Sequence, residues 1–208
     1  MIEVINTTNG RATREREASL LAGYGRLRRL RFHDELGWEV RLRGDEERDA
    51  YDDVGALYVL AVENDSVLGG LRMMPTTGPN LLHGTFGVLM DDPDAFRDDR
   101  LWEITRFCVR GASARSKAVV MRALFHGMLE ASRERGIERH VAVTDPTVGR
   151  FMRLCGIDMR RLSHDARSFG CPVTLWEWDV DERFAATVLH ACDLHGVAAN
   201  GNARALVA

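Results

Sequence analysis

Apolar and polar positions along the chain alternate between two rhythms. Residues 2–5 (IEVI) read as a short first strand. Between Thr13 and His33, Leu20, Tyr24 and Leu27 recur at helical spacing in a proline-free stretch rich in Arg, Glu, Leu and Ala, which predicts a helix or a pair of helices. Residues 34–55 carry many charges and few aliphatics and read as a loop with a short helical turn. The runs ALYVLAVE (56–63) and VLGGLRMM (67–74), parted by Asn64-Asp65-Ser66, predict a β-hairpin. A turn-rich segment follows over 75–87, and then a strand over 101–109. Ala118, Met121, Leu124, Phe125, Met128 and Leu129 form one stripe on a helix from about Ala114 to Arg135, with Gly136 as its C-cap. Residues 138–144 return as a strand, and Pro146 starts a helix that ends near Gly156. A strand over 172–180 and a helix over 181–194 complete the pattern, and 195–208 are expected to be a weakly ordered tail. Without a repeat, low-complexity tract or linker, the reading is one domain over 1–208. Its fold class is α/β (α+β), a mixed sheet with helices on both faces.

Composition narrows the function classes. A net charge of −3 gives no concentrated basic surface, so no nucleic-acid partner is expected. The N-terminus turns polar after five residues and no apolar run approaches a membrane span, so a cytoplasmic protein without a membrane partner is expected. Cys108, Cys155, Cys171 and Cys192 are scattered without a CxxC pair and read as reduced thiols. His190 and His195 are five apart where a helical metal pair prefers four, and no metal is expected.

Four short stretches carry candidate chemistry. In L27-R28-x3-F32-x5-W38, an Arg and a Phe four apart share a helix face, suited to a cationic or planar ligand or, more plainly, to a solvated helix end. Asp49 and Asp52 are three apart in a charged loop and could hold a cation, although acidic loops are commonly just solvated. Arg72 interrupts an apolar strand; buried, it must be paired or grip an anion, and at a sheet edge it would face water. In W102-E103-I104-T105-R106-F107, regular alternation sends Glu103 and Arg106 to opposite faces. Both can serve one site only if a bulge falls near Ile104–Thr105; otherwise they are sheet residues in a structural pair.

In this order and spacing the stretches resemble the LuxI-type acyl-homoserine lactone synthases, the autoinducer synthases. The pattern L-R-x3-F-x5-W, D-x-x-D, R-x2-P-T-x-x-P, Phe, E-x-[ST]-R-F is met by Leu27-Arg28, Phe32, Trp38, Asp49, Asp52, Arg72, Phe86, Glu103, Thr105, Arg106 and Phe107. The resemblance is strong over about 24–110 and weaker through 141–157.

The resemblance implies an N-acetyltransferase-like twisted mixed sheet flanked by helices. It implies an acyltransferase making a quorum-sensing signal: the amine of S-adenosylmethionine (SAM) takes an acyl group from a thioester, and lactonisation then releases methylthioadenosine. SAM is a substrate, and no cofactor is implied. By the same analogy Arg28, Phe32, Trp38, Asp49, Asp52, Arg106 and Phe107 shape the SAM side. Glu103 orients or deprotonates the amine, and Arg72 and Arg106 organise the carboxylate loop and the anionic end of SAM. Met73, Met74, Phe86, Trp102, Leu124, Met128, Val143 and Leu154 are candidates for the acyl pocket. Arg150, Arg153, Arg160 and Arg161 are candidates for docking an acyl carrier protein, or for meeting the phosphates of acyl-CoA. The alternative is an acyl-CoA-dependent N-acyltransferase of the same fold acting on another amine. Arg110-Gly111-Ala112-Ser113-Ala114-Arg115 lacks the fourth-position glycine of an acetyltransferase pyrophosphate loop, which speaks against it. A non-catalytic regulator would need a DNA-reading module, and none is legible.

Overall fold

A computed structural model describes residues 2–8, 15–154, 156–163, 166–168, 171–193, 197–200 and 204–207. In chain order the strands are β1 (Ile2–Thr8), β2 (Leu42–Arg43), β3 (Glu46–Glu47), β4 (Leu57–Glu63), β5 (Ser66–Pro75), β6 (Leu101–Val109), β7 (Arg139–Thr144), β8 (Arg160–Arg161), β9 (Ala166–Ser168), β10 (Cys171–Asp179), β11 (Val197–Asn200) and β12 (Arg204–Val207). The α-helices are α1 (Glu15–Arg28), α2 (Leu81–Thr85), α3 (Ala114–Arg135), α4 (Pro146–Leu154) and α5 (Glu182–Asp193). A π-helix spans Arg29–Glu35, and short 3-10 turns lie at Ala50–Asp53, Gly87–Leu89 and Pro93–Phe96. No helix among the described residues is long and apolar enough to cross a membrane.

The chain forms two compact units: Met1–Arg72 with Arg106–Ala131 and Val188–Ala208, and Met73–Thr105 with Ser132–Thr187. In the first, β4 pairs antiparallel with β1 over Glu3↔Val62 to Thr8↔Leu57 and turns back into β5. Asn64 and Asp65 make that turn with φ of 49° and 57°, the doubly left-handed geometry of a type I′ hairpin. Gly69 and Gly70 sit in β5 where helices approach. A Cβ on Gly69 would lie 2.7 Å from Val120 of α3, and one on Gly70 would lie 2.5 Å from the Tyr24 ring of α1. Successive strand residues face opposite sides, so the unit carries a helix on each face of β5. Residues 197–200 and 204–207, expected as tail, are strands β11 and β12; their backbones extend the sheet beyond β1 through Ile2↔Val207 and Glu3↔Leu206.

In the second unit β6 pairs parallel with β7 (Leu101↔Arg139 to Glu103↔Val141), and β7 pairs antiparallel with β10. Strands β8 and β9 pair with β10. Helix α4 lies close on β10 at Gly149, where a Cβ would fall 2.2 Å from Trp176 Cε2. Ser132 and His140, both fully buried, are joined Oγ to Nε2 at 2.9 Å. Burial pushes the His140 imidazole down to about 3.

Candidate active site

The site in the first unit begins at the end of α1. Leu20, Leu21, Tyr24, Leu27 and Arg28 form its buried stripe, so Arg28 enters the interior with only 2% of its surface exposed. A buried guanidinium must be paired, and partners come from residues 46–53. The β2–β3 hairpin delivers Glu47, which accepts from Arg28 Nε. The following turn is a capping box. Asp49 Oδ1 accepts the Tyr51 N–H at 2.9 Å, and Asp52 Oδ2 accepts the Asp49 N–H at 2.8 Å. The three-residue spacing of Asp49 and Asp52 is therefore the spacing of a reciprocal cap, and the cap aims both carboxylates at arginines.

Asp52 takes Arg28 in a two-pronged pair, Nη1 to Oδ1 at 2.7 Å and Nη2 to Oδ2 at 3.0 Å. Asp49 takes Arg72 likewise, at 2.6 and 2.9 Å. Arg72, fully buried in β5, also reaches Asp52 Oδ1 at 3.0 Å, and Tyr58 donates its hydroxyl to the same oxygen at 2.7 Å. Arg106 completes the cluster through Nη2, to Glu47 Oε1 at 3.2 Å and Asp49 Oδ2 at 2.9 Å. Arg28, Arg72 and Arg106 thus interleave with Glu47, Asp49 and Asp52 in a formally neutral group. Burial pushes the Asp52 carboxyl upward, but hydrogen bonds and charge from Arg28, with the charge of Arg72, hold it well below the usual carboxylate range. Burial likewise opposes ionisation of Asp49, and Arg72 and Arg106 overcome it.

Beyond Arg28 the helix widens into its π turn, with the Leu36 N–H bonded five residues back to Arg31 O at 3.2 Å. The chain then folds over: Trp38 N donates to Phe32 O at 2.8 Å, and the two rings stack at 5.2 Å. Arg106 lies over the other partner of this stack, its Cζ 5.5 Å from the Phe32 centroid. Arg106 and Asp49 are the members that reach solvent, with side chains 7% and 14% exposed, and Phe32 beneath Arg106 carries Trp38 stacked on it.

Five residues named from sequence for SAM or catalysis (Arg28, Asp49, Asp52, Arg72 and Arg106) meet in this cluster, with Phe32 and Trp38 beside it. Phe107 stacks on Phe125 of α3 at 5.8 Å. Glu47 and Tyr58 were missed; a run of acidic and basic residues hides which carboxylate is buried, and Tyr58 reads as an ordinary strand aromatic. Strand β6 leaves regular geometry at Arg106 itself, with φ of 55°, one residue beyond the expected bulge at Ile104–Thr105.

The second unit holds Glu103, fully buried, its Oε2 accepting the Leu81 N–H at the start of α2 at 2.9 Å. Met73, Met74 and Phe86 are buried there, and Trp102 and Val143 are half-buried. Leu124 and Met128, also named for the acyl chain, are core residues of α3 in the first unit. The Leu154 side chain lies outside the described residues. Of the docking arginines, Arg150, Arg153, Arg160 and Arg161 are all exposed. Arg153 lies over the Trp176 ring at 5.4 Å, Arg160 is paired with Asp179 and Glu177, and Arg161 bonds Ser163 O at 2.9 Å.

Comparison with known proteins places this arrangement. The profile of the family described as "Autoinducer synthase" matches residues 12–186. An acyl-homoserine-lactone synthase of Agrobacterium fabrum is 35% identical over 156 residues, 71% of this chain and 73% of the relative. The crystal structure of TofI, in a ternary complex with an inhibitor and MTA, superposes with a TM-score of 0.74 at 28% identity, covering 89% of this chain and 95% of that one. A putative N-acetyltransferase from Lactobacillus plantarum shares the fold alone, with a TM-score of 0.58 at 20% identity over 86% of this chain and 98% of its own. The chain belongs to the autoinducer synthase family. Its activity is that of an acyl-homoserine-lactone synthase, an acyltransferase that produces a quorum-sensing signal.

Proposed function

We propose that the chain uses SAM as its amine substrate and an acyl thioester as its donor. The observation that carries this reading is the solvent-reaching edge of the cluster, where Arg106 and Asp49 lie beside the stacked Phe32 and Trp38. A sulfonium with a carboxylate and an amine suits that edge. Aromatic faces and Asp49 attract the positive end, and Arg106 attracts the carboxylate. The methylthioadenosine bound to TofI, a relative at 28% identity, supports the same choice.

The reaction then runs in two displacements. The amine nitrogen attacks the thioester carbonyl, an amide forms, and the carbon–sulfur bond breaks to release the thiol. The substrate carboxylate next attacks its own γ-carbon, closing the lactone and expelling methylthioadenosine. The amine must lose a proton to attack, and Glu103 is the proposed group that orients or deprotonates it, directly or through water. Arg28, Arg72, Asp52 and Glu47 act behind Arg106 and Asp49 by fixing where those two lie. Phe86, Trp102 and Val143 are proposed to line the acyl chain. Arg150 and Arg153, exposed on α4, are proposed to meet an acidic acyl carrier protein or the phosphates of acyl-CoA. No cofactor is consumed or retained in this scheme, and the use of these two substrates supports a cytoplasmic location.

The test is to incubate the protein with SAM and a panel of acyl thioesters, offered on carrier protein and on CoA in parallel, with mass spectrometry of the products. An acylated homoserine lactone and methylthioadenosine are expected with at least one donor. Acylation of some other amine, with SAM untouched, would instead indicate the N-acyltransferase alternative.

A further inference from the structure

Arg106 occupies a conformation that strands do not offer. Its φ of 55° is in the left-handed region, where a Cβ crowds the backbone and a bulky side chain is a rarity. A strand residue turned into this region disrupts the ladder locally, and its peptide groups need partners elsewhere. The Arg106 carbonyl has one: the Tyr24 hydroxyl donates to it at 2.6 Å.

Tyr24 is placed for this by three neighbours in the first unit. It is 1% exposed on the buried stripe of α1, one turn before Arg28, whose guanidinium lies over its ring at 5.5 Å. Tyr58 meets the ring edge-on at 6.0 Å. On the sheet side Gly70 leaves the space the ring needs, since a Cβ there would come within 2.5 Å of Tyr24 Cε2 and 2.7 Å of Cδ2. The hydroxyl is also a dependable donor, because burial raises its pKa well above the ordinary tyrosine value.

We infer that Tyr24 is a positioning residue for the acyltransfer reaction: its hydroxyl, admitted by Gly70, holds the Arg106 peptide in the left-handed conformation that turns the guanidinium onto Glu47, Asp49 and Phe32. Tyr24 touches no substrate in this account. It acts through Arg106, and the inference rests on the reading that Arg106 meets the SAM carboxylate. Without the hydroxyl the carbonyl loses its partner and the strand relaxes toward extended geometry. The guanidinium then leaves Asp49.

Tyr24→Phe keeps the ring and removes the donor. The expected result is a KM for SAM raised about tenfold, the loss of one buried hydrogen bond expressed as binding, with the KM for the acyl thioester unchanged. A crystal structure of the variant is expected to show Arg106 outside the left-handed region. A merely structural role would lower the unfolding temperature and move both KM values together, or neither, and either pattern overturns the inference. So does an Arg106 that keeps its positive φ in the variant. Should Tyr24→Phe fail to fold, Gly70→Ala displaces the ring from the other side and must produce the same SAM-selective change. If the wild-type protein makes no lactone from SAM, the substrate reading fails, and the Arg106 backbone in the variant still decides what Tyr24 holds.

Discussion

Arg72 and Asp49 face each other in a two-pronged pair, Nη1 to Oδ1 at 2.6 Å and Nη2 to Oδ2 at 2.9 Å, with Arg72 fully buried. This pair ties β5 to the capped turn that follows β3, and so ties the site's floor to its acidic rim. Removing one partner leaves a buried charge uncompensated. Arg72→Leu is expected to cost about 3–5 kcal/mol in urea unfolding. Adding Asp49→Asn to that variant is expected to recover part of the loss. A loss under about 1 kcal/mol would mean that the pair is not holding the turn.

Acid should erode the protein's stability over two pH ranges. The His140 imidazole, pushed down to about 3 by burial, ionises in the unfolded chain near ~6.5. Unfolded molecules therefore bind that proton first, and stability falls as pH drops from about 6.5 toward 3. Asp49 and Asp52 have folded values lowered by the arginines beneath the ~3.9 of an unfolded aspartate. Their contribution is complete above that value and is lost as pH falls through the lower folded values. Urea midpoints between pH 3 and 8 should be flat above neutrality, decline below about 6.5 and steepen below about 4. His140→Gln should remove the upper decline and leave the lower one.

Gly149 tests the packing of α4 on β10. A Cβ there would meet Trp176 Cε2 at 2.2 Å and Cζ2 at 2.4 Å, against a ring only 2% exposed. Gly149→Ala raises helix propensity, which would stabilise an open site by up to ~1 kcal/mol. Here overpacking wins, and a net loss of about 1–3 kcal/mol is expected. A stabilised variant would show that the helix can move away from the ring freely.

Much of the first unit was legible. The hairpin at Asn64-Asp65 and the stripe of α3 follow from period and spacing, and five of the six clustered ionic residues came from the resemblance to the autoinducer synthase pattern. Glu47 did not, because Asp45-Glu46-Glu47-Arg48-Asp49 looks uniformly solvated and only tertiary packing decides that Glu47 is the buried member. Periodicity predicts a helix as far as His33 and a loop from residue 34, and it does not distinguish a π turn from an α-helix over 29–33. The sequence predicts a weakly ordered tail over 195–208, where β11 and β12 lie. Their short segments carry little periodicity, and the open backbone edge of β1 supplies the reason for them to pair. Phe107 is named by resemblance alone, and its ring stacks on Phe125.

Glu103 is proposed to act on the amine, and its isosteric neutral variant isolates the charge. Glu103→Gln is expected to lower kcat about 10²–10⁴-fold, the usual contribution of a positioned base. The KM for the thioester should be little changed. Near-full turnover would remove Glu103 from the proton-transfer role.

The proposed function couples acyl transfer to lactonisation of SAM. Its most direct test is the stoichiometry of products from carbon-labelled SAM with a saturating acyl thioester, followed over time by mass spectrometry. Methylthioadenosine and acyl-homoserine lactone are expected to appear together in a one-to-one ratio, with the label in the lactone ring. Free thiol released without methylthioadenosine, or an acylated amine carrying no label, would contradict it.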